Sequence, residues 1–205
     1  MNKKQHWETV FTSKKIDHVS WYQQTPQDSI NFIEQLELPN TAAIIDVGGG
    51  DSFLADNLVD KGYSNITVLD ISSAAIKRAK QRLGRKAAKV KWIVADVLEF
   101  TDTIKYDCWH DRAAFHFFTK EDEVKSYLSI EQQHLNTNGK LIIGTFSTDG
   151  PEKCSSLPVK RYNENLLTSA LQHWFTKIYC VTTNHTMPFK TLQNFLFCSF
   201  KKLST

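Results

Sequence analysis

The segment Ala42-Ala43-Ile44-Ile45-Asp46-Val47-Gly48-Gly49-Gly50-Asp51-Ser52, followed by Val68-Leu69-Asp70-Ile71-Ser72, constrains the fold more than any other stretch. An apolar strand runs into an acid and a glycine turn, a helix follows, and a second apolar strand ends in another acid. Glycine lets a backbone approach a ligand without a Cβ in the way. An acid closing the second strand stands where a ribose presents its hydroxyls to an acceptor. The arrangement therefore points to a cofactor containing adenosine.

The glycine spacing narrows the choice. A dinucleotide fingerprint needs G-x-G-x-x-G, its third glycine allowing close helix–strand packing. Gly48 and Gly50 supply two positions, but Phe53 occupies the third. Asp46 and Asp51 flank the turn, and two carboxylates oppose a pyrophosphate, which wants bare N–H groups and a positive dipole. They suit a cationic ligand with an amino-acid end, such as the sulfonium donor S-adenosylmethionine. At residues 40–145 the chain resembles the class I S-adenosylmethionine-dependent methyltransferases, whose first motif reads D-x-G-x-G and whose second ends in an acid. The resemblance implies roles along the turn. Gly48 and Gly50 line the methionine end, Asp46 reaches its ammonium, Asp70 accepts from the ribose, and Ile71 lies against adenine. Asp96, with Val97 beside it, resembles the acid that meets the adenine amino group; a helix cap is the other reading of Asp96. Trp21, in Val19-Ser20-Trp21-Tyr22-Gln23, either covers the cofactor cleft or anchors the N-terminal arm.

The pattern of strands and helices agrees with that family. Strands are expected at 42–47, 65–70, 90–94, 105–109, 140–146, 174–182 and 193–202, with helices at 27–38, 52–61, after Ser72, at 120–134 and at 163–172. The connection 183–192 is too short for a crossover helix, so the last strand should run antiparallel. The expectation is a single α/β domain over 1–205, a doubly wound, seven-stranded, mostly parallel sheet. Residues 1–38 form an arm and helix over the cofactor cleft, and 39–205 form the core.

With 205 residues, 41% hydrophobic and 23% charged, the composition is that of an ordinary globular protein. The net charge of +3 does not suggest a nucleic-acid binder by bulk charge. No run approaches the ~18 apolar residues of a membrane span. Cys108, Cys154, Cys180 and Cys198 show no C-x-x-C spacing, so no metal site is indicated. With no signal-like N-terminus, these cysteines read as reduced thiols of a cytoplasmic protein. Residues 77–91 carry eight basic side chains and no acid, either a solvated face or a dock for an acidic protein partner.

The acceptor is sought in Tyr106-Asp107-Cys108-Trp109-His110-Asp111-Arg112-Ala113-Ala114-Phe115-His116-Phe117, read as following strand four and pointing into the cleft. Asp111 lies where the family's fourth motif faces the methyl donor. Methyl transfer needs a deprotonated nucleophile held close to the methyl group. His110, Arg112 and His116 around one acid suit an anionic nucleophile, since nearby cations lower a thiol's pKa. The bland alternative makes the histidines buried spacers and pairs Arg112 with Asp107 or Asp111. Asp111-Arg112-Ala113 also resembles an element of thiopurine and related thiol methyltransferases. A bacterial subgroup with W-H-D-R-A-x-F-H-F and a later T-F-x-x-D-G-P-E-K-C-S run is similar, and the resemblance implies a small thiol or sulfide as substrate. Cys154, Arg161 and Tyr162, after strand five, are substrate-side candidates, and His185 is a weaker one. A protein-lysine methyltransferase is the competing reading, with a non-enzymatic cofactor-binding module beyond it. RNA methylation is disfavoured because no N/D-P-P-Y/F run follows strand four.

Overall fold

The protein is described from a computed structural model covering residues 2–203. Five strands come first: β1 (Ala43–Val47), β2 (Asn65–Asp70), β3 (Val90–Val94), β4 (Tyr106–Arg112) and β5 (Leu135–Phe146). A two-residue hairpin, β6 (Lys153–Cys154) and β7 (Leu157–Pro158), precedes the long pair β8 (Phe175–Thr186) and β9 (Leu192–Lys202). The helices are α1 (Lys3–Ser13), α2 (Gln27–Gln35), α3 (Leu54–Asp60), α4 (Ser73–Leu83), α5 (Glu121–His134) and α6 (Glu164–Leu171). The seven-stranded sheet has the order β3-β2-β1-β4-β5-β9-β8. β9 runs antiparallel to both its neighbours and the other pairings are parallel, as expected.

Strand alternation divides the interior into two cores. Ile44, Ile66, Val68, Cys108 and Ile142 face one way, against Ile30, Ile33, Leu54, Leu58 and Ile76 of α2, α3 and α4. Ile45, Leu69, Trp109, Leu141 and Ile143 face the other, against Val124, Tyr127, Leu128 and Leu167 of α5 and α6. Both faces are covered, so the central strands are apolar throughout rather than alternating.

Three expectations change. β4 extends through Arg112 instead of stopping near 109, so the His110–Arg112 run belongs to the strand itself. The N-terminal arm contains a full helix, α1. Asn2 caps it by accepting from the N–H groups of Lys4 and Gln5, and Trp7, Val10 and Phe11 recur at helical spacing. Its mostly polar sequence conceals that stripe. Cys180 and Cys198, read as free thiols, are joined in a disulfide. They stand directly opposite one another on β8 and β9, a juxtaposition set by hairpin register that no short motif signals. Cys108 and Cys154 are free and buried. Among the described residues no helix is long and apolar enough to cross a membrane.

The basic run is partly committed internally. Arg78, Arg82, Lys86 and Lys91 pair with Asp51, Asp56, Asp60 and Asp102 respectively, half of the eight cations. Arg82 also lies 4.0 Å over the Phe53 ring, so the residue that replaces the third glycine has a packing role.

Gly144 on β5 faces Phe197 on β9, and a Cβ there would stand 2.5 Å from the Phe197 ring. Phe197 is buried and cannot swing to solvent. Gly144→Ala should therefore destabilise the protein by about 1–3 kcal/mol through overpacking. Urea unfolding should show a lower midpoint with an unchanged slope.

Candidate active site at the carboxyl ends of the strands

Parallel pairing brings the carboxyl ends of β1, β2 and β4 side by side, where open α/β sheets hold ligands. A cleft lies there, open to solvent and lined by residues from the ends of these strands and from the N-terminal arm. Asp46, Gly48, Gly49, Gly50, Asp70, Ile71, Asp96 and Val97 form its β1–β3 side. Gly48 and Gly50 have φ values of +64° and +48°, a region that side chains disfavour. A Cβ on Gly48 would also stand 2.6 Å from the Ala114 Cβ. Gly49, not singled out from the sequence, is equally confined, because a Cβ there would lie 2.5 Å from Asp46 Oδ2.

β4 splits the expected constellation between two faces. His110 and Arg112 line the cleft; Asp111 does not. Its Oδ1 accepts from the N–H groups of Ala114 and Phe115 at 2.9 and 3.0 Å, and its Oδ2 accepts from the Tyr127 hydroxyl. Trp109 Nε1 donates to the same hydroxyl at 3.2 Å. Burial holds Asp111 up at about 6. It ties the turn after β4 to α5, on the side away from the cleft. His116 is also misplaced by the sequence reading. Fully buried against Phe117 and Phe146, it is driven down to about 3 and stays neutral.

On the cleft face, His110 Nδ1 meets Asp46 Oδ1 at 2.7 Å, and both side chains are almost wholly buried. That bond fixes the proton on Nδ1, because a carboxylate only accepts. One Asp46 oxygen is therefore engaged by His110, not free for a ligand ammonium. Arg112 is half-buried, and its Nη2 donates to the Trp21 carbonyl at 3.0 Å. Burial pulls the guanidinium down to about 10, still cationic at neutral pH. Among the described residues no carboxylate lies within ion-pair distance of Arg112, neither Asp107 nor Asp111 included. Asp107 instead accepts from the Ala43 N–H and from Asn136.

The acids at the other end of the cleft differ in state. Asp70 is pushed up to about 7, first by burial and then by the negative charges of Asp51 and Asp46. Its Oδ1 accepts from the Ser72 N–H at 2.7 Å. Asp51 is raised by burial, against the pull of Arg78 and Arg82. Asp96 caps a short turn by accepting from the Leu98 N–H at 3.0 Å, while still lining the cleft. Crowded acids around a glycine turn fit a cationic ligand with ribose hydroxyls, so the residues present suit S-adenosylmethionine.

The arm expected over the cleft contributes helix α1, whose helical form and lining residues the sequence reading did not single out. Lys3, Trp7 and Phe11 join Trp21, Phe117 and Phe118 around the cleft. Glu8 fixes the helix in place: its carboxylate accepts from the N–H groups of Ser73 and Ala74 and from the hydroxyls of Ser72 and Ser73. Arg78 adds bonds to the carbonyls of Phe11 and Lys14. The signal was available as the Asn2 cap and the Trp7–Phe11 spacing.

The substrate-side candidates divide in the same way. Cys154 lines the cleft, and burial holds its thiol up at about 11, so it is neutral. Tyr162 is buried against Phe115. Arg161 lies outside the cleft lining, tied to the carbonyls of Thr148 and Gly150 and to Glu152. Both hold the β5–α6 connection in shape. His185 pins the 20–23 segment by contacts with the Ser20 carbonyl and Gln23.

Known proteins are similar to this chain in sequence and in fold. Residues 44–139 match a family model described as a methyltransferase domain. The eEF1A lysine and N-terminal methyltransferase of Bos taurus is 23% identical over 186 residues, 87% of this chain. The chain spans only 25% of that relative's length. A solved structure from work on the conversion of a disulfide bond into a thioacetal group during echinomycin biosynthesis superimposes with a TM-score of 0.79 at 20% identity. That alignment covers 98% of this chain and 93% of the other. The Burkholderia thailandensis 1,6-didemethyltoxoflavin-N1-methyltransferase, solved with bound 1,6-didemethyltoxoflavin and S-adenosylhomocysteine, gives a TM-score of 0.70 at 19% identity, covering 98% of this chain and 84% of that one. Residues 44–139 are thus similar to a methyltransferase domain, and the sheet is of the kind found in the solved methyltransferases.

Proposed function

We propose that the whole chain is an S-adenosylmethionine-dependent methyltransferase whose acceptor is a small thiol or sulfide-type nucleophile. The observation that carries the acceptor class is Arg112, a half-buried cation on the cleft wall with no carboxylate partner among the described residues. Lys3 also lines the cleft, but Glu123 takes its charge at 2.8 Å. A cation that lacks a close ion pair in a desolvated site, with Asp46 and Asp28 acting on it only from further off, favours a ligand of opposite sign. A thiolate meets that condition, and its ordinary pKa of about 8.5 leaves a cation little to do to ionise it. Bound S-adenosylmethionine would supply an electrophilic methyl group. Asp70 and Asp96 hold its adenosine end, the glycine turn admits its methionine end, and the Trp7–Phe11–Trp21 cluster keeps water from the sulfonium.

Protein-lysine methylation is the second reading. The eEF1A-methylating relative favours it, as do the aromatic rings and carboxyl groups around the cleft. Arg112 weighs against it, because a lysine ammonium would share the acceptor end with another cation. The exposed cations of the basic run with no carboxylate partner among the described residues, Lys77, Lys80, Arg85 and Lys89, form the surface that would meet an acidic protein partner under that reading.

The deciding experiment follows S-adenosylhomocysteine release with sulfide, small thiols and purified elongation factor in separate reactions. Turnover with thiols or sulfide is expected, and turnover with the protein alone would overturn the acceptor assignment. Arg112→Ala should lower turnover at least tenfold while calorimetry shows S-adenosylmethionine affinity changed less than threefold.

Asp70 gives a pH signature. Its ionised form accepts from ribose hydroxyls, and with a value of about 7 it protonates as pH falls below neutrality. Affinity should therefore be complete above pH 8 and weaken by up to tenfold per unit below about 7. The probe is 5′-methylthioadenosine, which carries the ribose but no titrating amino group. Asp70→Asn should bind it weakly with no pH dependence over that range.

A further inference from the structure

We infer that Asp46 and His110 form a general-base dyad, with His110 Nε2 taking the proton from the methyl acceptor. The inference rests on the methyltransferase reading of this cleft and assigns the proton's destination within it.

Three observations converge on His110. Its Nδ1–H is donated to Asp46 at 2.7 Å, leaving a lone pair on Nε2. Nε2 is buried without a hydrogen-bond partner, although His110 is only 1% exposed and forms part of the cleft wall. A buried imidazole nitrogen left unpaired loses a hydrogen bond, and a ligand bearing an S–H or O–H would restore it. Arg112 lies two residues along the same face of β4, so an anion formed by proton loss meets a cation there. Asp46 also supports the imidazolium that forms, as a carboxylate does for a histidine base elsewhere.

The charged and titratable groups around His110 are consistent with that role. Asp46 comes from β1, Arg112 and Cys108 from the same face of β4, and Cys154 from β6. Asp111 acts on it from the opposite face. Both thiols are held neutral by burial, so His110 is the group on this wall with a free basic lone pair. The step balances. The acceptor's proton passes to Nε2, the acceptor sulfur bonds to the methyl carbon, and the carbon–sulfonium bond breaks with its electron pair kept by the donor sulfur. The imidazolium returns its proton to water after product leaves.

The test joins an activity-independent readout to a pH profile. In ¹⁵N NMR of the protein, with His110 assigned by loss of its signals in His110→Gln, Nδ1 should be protonated and Nε2 bare at pH 8. A proton on Nε2 would overturn the dyad whatever the acceptor. At saturating S-adenosylmethionine, His110→Gln should lower thiol turnover at least 100-fold at pH 7, with the deficit shrinking toward the thiol's own pKa. An equal loss at every pH, or no loss, would also overturn it. Calorimetry on the unaltered protein separates the two levels. Failure to bind S-adenosylmethionine ends the methyltransferase reading, whereas binding with an unaltered His110→Gln profile ends only the dyad.

Discussion

The parallel register of β1 between β2 and β4 determines where every functional group of this molecule can stand. Asp46 pairs across β1–β4 with His110, and Val47 with Asp111. Asp46 and Val68, Val47 and Leu69 pair across β1–β2. Because successive residues alternate faces, one register choice puts Asp46 and His110 in contact on one side and sends Trp109 and Asp111 to the other. A slip by one residue would exchange them, burying Arg112 in the apolar α5–α6 core and exposing Trp109 in the cleft. The two flanking cores hold the register, since either slip would also turn a row of Ile, Val and Leu side chains onto the wrong helices.

The same alternation explains what the sequence made visible. Long apolar strands, the glycine turn and the acids at Asp46 and Asp70 are local signals, and each marks an element that the structure contains. The Asp111–His116 run was harder because its chemistry is sorted by the length of β4. Read as a loop, all its polar side chains could face the cleft; read as strand through Arg112, only His110 and Arg112 do. His116 then falls in the turn that follows, beneath Phe117 and Phe146. Tyr162 and Arg161 were legible as polar residues in a functional-length loop, yet loop residues also have to hold the loop together. The disulfide and the docking of α1 depend on register and contact between segments far apart in sequence, which no local spacing encodes, although the helix itself was legible in the Asn2 cap and the Trp7–Phe11 spacing.

Docking of α1 draws its specificity from a helix end. The first N–H groups of α4 lack intrahelical partners, and Glu8 reaches across from α1 to accept from two of them. The attachment couples the wall carrying Trp7 and Phe11 to the turn after Asp70, so the element that covers the cleft is anchored beside a carboxyl group that lines it. Arg78, on α4, reinforces the coupling by joining the last carbonyls of α1 to Asp51 of the glycine turn. The basic run is thereby explained in part as scaffolding for the site.

Electrostatics within the cleft give the ligand a thermodynamic role in the fold. Asp70 has a folded value of about 7 against an ordinary 3.8, raised by burial and by its acidic neighbours. Its folded form holds the proton more tightly than the unfolded chain does, so this group favours folding below pH 3.8 and loses that contribution as pH rises through about 7. Above neutrality the empty cleft carries an ionised, poorly solvated carboxylate beside Asp46 and Asp51. Hydroxyl donors and a nearby positive charge offset that cost, and S-adenosylmethionine brings both. At the other end of the cleft Arg112 has the opposite need. On the acceptor proposed above, one site would hold a negative end for a cationic donor and a positive end for an anionic acceptor, a polarity that would align the two reactants before chemistry begins.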